Sequence, residues 1–311
     1  MISLKGKDFL CLGDFGQDEI YQILAKATEL KRLHRLGKSI RLLEGKSVAL
    51  VFEKPSTRTR VSFEAGITQL GAYPIVLYGR DLQLGRGETI EDTGQVLSRY
   101  VDAIVVRTFK HGDLETLAEA SSVPIINGLT DDFHPCQALA DFLTILEKKD
   151  RLAGLKLAYV GDGNNVCHSL ISGASHIGLN ISVAVPSGYE PKAWVVKKAE
   201  SVLRNINHKI YVTNDPKEAV SRADIVYTDV WTSMGREEEA NKRRKIFLPY
   251  QVNGDLLSLA KLDALVMHCL PAHRGEEITE EVMKSSNCVV FDQAENRMHT
   301  QKALLSLLIG D

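Results

Sequence analysis

The sequence predicts an α/β protein of two domains, each a parallel sheet flanked by helices. Three observations predict it. Short apolar runs rich in β-branched residues alternate with stretches whose apolar residues recur at helical spacing, the pattern of βα units. The alternation stops at a charged stretch near residue 149 and then restarts. The 311 residues, 44% of them hydrophobic, are enough for two proper cores.

The opening helix is expected over residues 18–33, where Ile20, Ile23, Leu24, Ala27 and Leu30 share one face. Strands follow at 47–52, 73–77, 103–107 and 124–127, with helices at 62–70, 89–100 and 114–120 between them. A further helix, 136–149, ends in Glu147-Lys148-Lys149-Asp150, and the domain boundary is placed there. One domain therefore covers 1–149 and the next 150–296. Strands of the second half are expected at 156–160, 182–185, 209–212, 225–228, 264–268 and 288–291. The last helix, from Arg297 to the end of the chain, carries Leu304, Leu305, Leu307 and Leu308 and must pack against a neighbour. Residues 236–245 are almost wholly charged, and read either as a solvated helix face or as a mobile lid.

Composition narrows the function classes. The formal net charge of -2 leaves no basic excess for nucleic acid. The N-terminal residues lack an apolar run of signal-peptide length, and no stretch approaches a membrane span, so a cytoplasmic setting is expected. Five scattered cysteines without C-x-x-C spacing argue against a disulfide framework or a zinc site.

In open parallel sheets ligands bind beyond the carboxyl ends of the strands, so the residues just after each strand carry the chemistry. After the first strand come Lys54-Pro55-Ser56-Thr57-Arg58-Thr59-Arg60. Three hydroxyls and two guanidinium groups crowd a helix start, where free N–H groups and the helix dipole favour an anion. Ser56 is a natural cap, and Arg58 can make bidentate charge-assisted bonds. The site reads as a phosphate cradle, but not a Walker loop, because the Gly-rich approach and the Gly-Lys pair are missing. Arg107 follows the third strand. His134 and Gln137 then stand three apart at a helix start, so both can address one ligand.

In the second half, Gly161-Asp162-Gly163-Asn164-Asn165-Val166 tempts a dinucleotide reading. Val166 replaces the third glycine, and the next strand ends in Val185-Pro186-Ser187 with no acid for a ribose. Asn164 and Asn165 fit a small polar ligand better. Asp229 at a strand end can pair with an ammonium group. Cys269 is either a small apolar residue or a reactive thiol in a basic setting. Arg297 brings a cation to the mouth of the site after the sixth expected strand.

Together these clusters resemble the transcarbamoylases, and within them the ornithine carbamoyltransferases. The resemblance runs nearly the whole chain: Ser56-Thr57-Arg58-Thr59-Arg60, Gln83-Leu84-Gly85, Val106-Arg107-Thr108, His134-Pro135-Cys136-Gln137, Ser233-Met234-Gly235, His268-Cys269-Leu270-Pro271 and Glu295-Asn296-Arg297. It implies that Ser56, Thr57, Arg58, Thr59 and Arg107 hold the phosphate of carbamoyl phosphate, while His134, Gln137 and Arg297 address its carbamoyl group. Gln83 is similar to the residue the family donates to a neighbouring subunit, which implies a homotrimer or an assembly of trimers with shared sites. Asn165, Asp229, Ser233 and Met234 would bind the ornithine backbone groups, and Cys269 with Leu270 its side-chain amine. The C-terminal helix would cross back to complete the first domain. No metal or organic cofactor is implied.

The implied reaction transfers a carbamoyl group to L-ornithine, giving citrulline and phosphate. The attacking amine must lose a proton held with a pKa near ~10, aided by desolvation and by Cys269 or Asp229. Thr59, Arg107, His134 and Arg297 would meet the oxyanion, each well-aimed donor contributing on the order of 3 kcal/mol. Hinge closure and the 233–245 segment would be the moving parts. Rival readings are a transcarbamoylase for putrescine or aspartate, an NAD-dependent dehydrogenase, and a non-catalytic phosphate-metabolite sensor.

Overall fold

The computed structural model describes residues 2–79, 82, 87–203, 208–232 and 237–310. It divides into two compact units, one of residues 1–143 and 295–311 and one of residues 144–294.

The first unit holds four parallel strands, β1 Ser47–Phe52, β2 Tyr73–Tyr78, β3 Ala103–Arg107 and β4 Ile125–Leu129, in the order β2-β1-β3-β4. Their helices are α1 Gln17–Arg35, α2 Thr57–Gln69, α3 Ile90–Leu97, α4 His111–Ala120 and α5 Pro135–Lys149. β1 and β3 are buried almost throughout, as expected of central parallel strands covered on both faces. Phe9 pairs against Ile126 and so covers the β4 edge. Every residue of β2, on the other edge, keeps some exposure.

The second unit holds five parallel strands, β5 Lys156–Val160, β6 Asn180–Ala184, β7 Ile210–Thr213, β8 Ile225–Thr228 and β9 Leu265–His268, in the order β7-β6-β5-β8-β9. Among the described residues the helices that accompany them are α6 Asn165–Ile177, α7 Ala193–Val202, α8 Pro216–Val220, α9 Ala240–Phe247, α10 Gly254–Leu257 and α11 Glu280–Met283. Ala158, Val160, Val226, Val266, Ile278 and Val282 form the heart of one core.

The last helix, α12, runs Val290–Ile309 and returns the chain to the first unit. Its contacts there are polar as well as apolar. Lys31 donates to Asn296 Oδ1 at 2.6 Å, Lys302 donates to Gln69 Oε1 at 2.9 Å, and Leu304 and Leu305 are fully buried. The apolar end of the chain has its packing partner.

Nine expected strands match to within two residues at each end; the tenth does not exist. Residues 288–291 make only an isolated bridge, Cys288 to Val266, before α12 begins at Val290. A four-residue apolar run fits a buried helical turn as well as a strand, and periodicity cannot separate them. In consequence Arg297 stands two turns inside α12, not at a strand end. The helix beginning expected at 62 lies at Thr57, because the side chain of Ser56 caps it.

Candidate active site

Each sheet order contains one place where the chain reverses its winding, between β1 and β3 in the first sheet and between β5 and β8 in the second. Crevices open at such switch points beyond the carboxyl ends of the strands. Among the described candidate residues, Ser56–Thr59 and Arg107 flank the first, and Asn165 and Asp229 the second.

In the first unit, Ser56 has extended backbone, and its Oγ accepts the Thr59 N–H at 3.2 Å. This turns the start of α2, with Thr57 and Arg58 in its first turn, toward the end of β1. Arg107 ends β3 beside it and is 6% exposed. Arg297, 2% exposed, donates from Nη2 to Thr59 Oγ1 at 3.0 Å and from Nη1 to Gln137 Oε1 at 2.7 Å. It therefore joins the starts of α2 and α5. Gln137 in turn donates to the fully buried Asp141 at 2.8 Å. Asp141 is a residue that sequence reasoning missed; its signal was the i, i+4 spacing from Gln137.

His134 immediately precedes α5 and is buried. Burial holds its imidazole well below the ordinary range, and the neighbouring Arg297, Arg107 and Arg58 cations push the same way. A neutral imidazole thus sits among three guanidinium groups. It can donate or accept one hydrogen bond per nitrogen but adds no charge. Cys136, two residues on, is structural: it donates to the Asn127 carbonyl at 3.3 Å, and burial pushes its thiol up to about 12. Lys54, also buried, pairs with Asp131 and lies 4.1 Å from the centre of the Phe109 ring, which ties the segment before the cradle to the loop before α5.

In the second unit, β5 leads into Gly161-Asp162-Gly163. A Cβ on Gly163 would meet the backbone N of Pro191 at 2.3 Å, so only glycine fits. Asn164 caps α6 through Oδ1, and its Nδ2 donates to Asp229 Oδ2 at 2.7 Å. Asn165 is the first residue of α6 and is half-buried. Asp229, 5% exposed, follows β8; its Oδ1 accepts the Val230 N–H at 2.8 Å and the Cys269 thiol at 2.9 Å. The basic setting expected for Cys269 is therefore replaced by a carboxylate contact, because strand order sets β9 beside β8. Leu270 follows in the left-handed region, φ 59°, before a cis bond to Pro271. His268 accepts the Leu270 N–H on Nδ1 at 2.9 Å, and its Nε2 lies 3.0 Å from Glu277 Oε1.

The charged run 236–245 is only partly a solvated face. Arg243, in α9, is 1% exposed, pairs with Asp162 and lies 4.7 Å from the Tyr189 ring centre. That helix is anchored at the loop after β5. Residues 233–236, which include Ser233 and Met234, lie outside the described residues, as does Gln83.

Among the described residues, two groups of side chains bring potential metal-ligand atoms within 4.8 Å of one another, Asp229-His268-Cys269 and His273-Glu276-Glu277. In the first, the Asp229 and Cys269 atoms already satisfy each other by hydrogen bonding, and His268 is used by Glu277 and Leu270.

Residues 7–147 match the carbamoyl-P binding domain of the aspartate/ornithine carbamoyltransferases, and residues 153–308 match their Asp/Orn binding domain. The chain belongs to the aspartate/ornithine carbamoyltransferase family. Within that family it is 57% identical over 310 residues to the ornithine carbamoyltransferase of Thermococcus kodakarensis, covering 100% of this chain and 98% of that protein. It is 55% identical to a Pyrococcus furiosus protein described as an anabolic ornithine carbamoyltransferase, again covering 100% and 98%. Among solved carbamoyltransferase structures, the ornithine carbamoyltransferase from Pyrococcus furiosus superposes with a TM-score of 0.97 at 55% identity, covering 99% of both chains. The Giardia lamblia ornithine transcarbamoylase still gives 0.89 at 31% identity, covering 98% of this chain and 99% of that one.

Proposed function

We propose that this protein is an ornithine carbamoyltransferase, moving the carbamoyl group of carbamoyl phosphate to the side-chain amine of L-ornithine. The observation that carries carbamoyl transfer is the neutral, buried His134 among Arg58, Arg107 and Arg297 beside the Ser56-capped helix start. Fixed cations beside a helix N-terminus suit a phosphate, and an uncharged donor beside them suits a carbonyl oxygen. Relatives of more than half identity over the whole chain carry the ornithine name, which supports the acceptor.

On this reading residues 1–149, completed by 297–311, form the carbamoyl phosphate domain and 150–296 the ornithine domain. Ser56, Thr57, Arg58, Thr59 and Arg107 hold the phosphate, with Gln83 supplied by a neighbouring subunit. His134, Gln137 and Arg297 hold the carbamoyl group. Asn165, Asp229, Ser233 and Met234 take the amino-acid end of ornithine, and Cys269 with Leu270 its amine.

The amine nitrogen attacks the carbamoyl carbon, and the resulting oxyanion is met by Arg297, His134, Thr59 and Arg107. The carbon–oxygen bond to phosphate then breaks. The leaving phosphate is neutralised at the start of α2 and can itself take the amine proton, so no cofactor enters the scheme. The Cys269–Asp229 pair gives the incoming amine an acceptor on the ornithine side. A colorimetric ureido-product assay with ornithine, putrescine and aspartate tests the reading. Product with ornithine alone is expected, and preference for another amine would reassign the acceptor.

Among the described residues no strand pairs with the outer side of β2, and with the exposed Tyr73 that edge suits burial against a second copy, because a strand edge invites pairing. We take the working form to be a cytoplasmic homotrimer, or an assembly of trimers. Light scattering should give a mass of three chains or a multiple of three; a monomer would sink this part. Among the described residues no helix is long and apolar enough to cross a membrane.

A further inference from the structure

We propose that Asn164 is the positioning residue for Asp229, holding its carboxylate in the orientation that meets the Cys269 thiol. This rests on the reading of Asp229 and Cys269 as ornithine-side groups.

The orientation of the Asn164 amide follows from its neighbours. Its Oδ1 accepts the N–H of Val166 at 3.0 Å, the N–H of Cys167 at 3.1 Å and the hydroxyl of Tyr159 at 3.1 Å. An amide nitrogen can accept none of these, so Nδ2 must be the atom 2.7 Å from Asp229 Oδ2. Tyr159 is fixed in its turn, fully buried and stacked on Tyr227 with ring centres 5.8 Å apart. Burial, with Asp229 adding to it, holds that phenol well above its ordinary range and keeps it a donor. One carboxylate oxygen of Asp229 is thus claimed by Asn164, which leaves Oδ1 for the Val230 N–H and the Cys269 thiol. A half-turn of the carboxylate exchanges chemically equal oxygens, but any tilt breaks bonds at both ends. The side chain that starts α6 therefore also locks the acceptor beside the thiol.

The alternative is that Asn164 only caps α6, and the two roles can be separated by substitution. Asp and Ser cap helices about as well as Asn. Asn164→Asp and Asn164→Ser therefore keep the cap, but neither can donate to Asp229 as the amide does. Asn164→Ala removes cap and donor together. Positioning predicts that the ornithine KM rises about tenfold or more in both capped variants. Carbamoyl phosphate Kd should stay near wild type in both, and the urea midpoint near wild type in Asn164→Ser; Asn164→Asp should be the worse of the two in KM and lower in midpoint, because it sets a second carboxylate beside the buried Asp229. If both capped variants keep the wild-type KM and only Asn164→Ala is impaired, the proposal is overturned.

A second readout does not need ornithine. Alkylation of Cys269 by iodoacetamide, followed on its own peptide by mass spectrometry, should speed up several-fold in Asn164→Ser, because the carboxylate no longer stands fixed beside the sulfur. Where wild-type protein forms no citrulline, the ornithine reading falls and the alkylation rate decides the positioning role; an unchanged rate there overturns it.

Discussion

Arg58 shows how a single side chain divides binding from folding. It lies in the first turn of α2, only partly buried, and one of the charges beside His134. Arg58→Ala should leave the fold intact and weaken carbamoyl phosphate by roughly 10- to 100-fold, the range for losing charge-assisted hydrogen bonds. Calorimetric titration with carbamoyl phosphate checks it, and near-normal affinity would remove Arg58 from the phosphate site. Cys269 should behave in the opposite way. Cys269→Ser keeps a donor for Asp229 but exchanges a soft sulfur for a smaller oxygen. We expect kcat/KM for ornithine to fall about tenfold, on the order of 1.4 kcal/mol, with carbamoyl phosphate affinity near wild type. Loss confined to carbamoyl phosphate would count against its assignment.

At the scale of elements, the turn from β5 to α6 is tightly constrained by its neighbours. Gly163 donates its N–H to the Tyr189 carbonyl at 2.9 Å, and a methyl group there would run into the backbone of residues 189–191. Backbone cannot swing aside as a side-chain tip does. Gly163→Ala should therefore destabilise by about 1–3 kcal/mol, the usual cost of overpacking, and displace Asn164 with it. Urea unfolding followed by circular dichroism measures the first effect and ornithine KM the second. An unchanged midpoint would mean that the 189–191 loop yields easily. The start of α2 is the corresponding piece of the first unit, where Ser56, Thr59 and Arg297 are linked by hydrogen bonds.

Across the whole molecule, buried neutral imidazoles set a pH dependence. His299 in α12 is held at about 3, chiefly by burial, with Lys302, Lys31, His34 and Arg35 adding to it. His134 is displaced in the same direction. The unfolded chain takes up a proton at each of these histidines as pH falls through ~6.5, while the folded chain does not. Their contribution is present at neutral pH and is lost on acidification between ~6.5 and about 3 for His299. The loss amounts to up to ~1.4 kcal/mol per pH unit for each group. Urea midpoints should fall between pH 7.5 and 5.5, and His299→Gln should make that fall shallower. Parallel slopes for the two proteins would show that His299 charges freely in the folded state.

Much of this was legible in the chain itself. Alternating apolar runs and helical spacing determined the α/β class, nine of the strands and the return to a second sheet, because burial on both faces leaves its mark in local sequence. The Ser56–Arg60 cradle was legible for the same reason: a cap, a helix start and its cations are neighbours in sequence. The 288–291 run was misread because four apolar residues suit a strand and a helical turn equally. Strand order, by contrast, is decided only by tertiary packing. It sets β1 beside β3 and β5 beside β8, and so brings Arg107 to the α2 start and Asp229 to Asn164 and Cys269. The pairing of Arg297 with Thr59, across more than two hundred residues, has no local trace. Nor does the displacement of His134, which depends on burial and on three arginines from distant segments. Sequence determined which groups are present; the fold decided which of them share a proton or a charge, since those interactions act through space at a few ångströms.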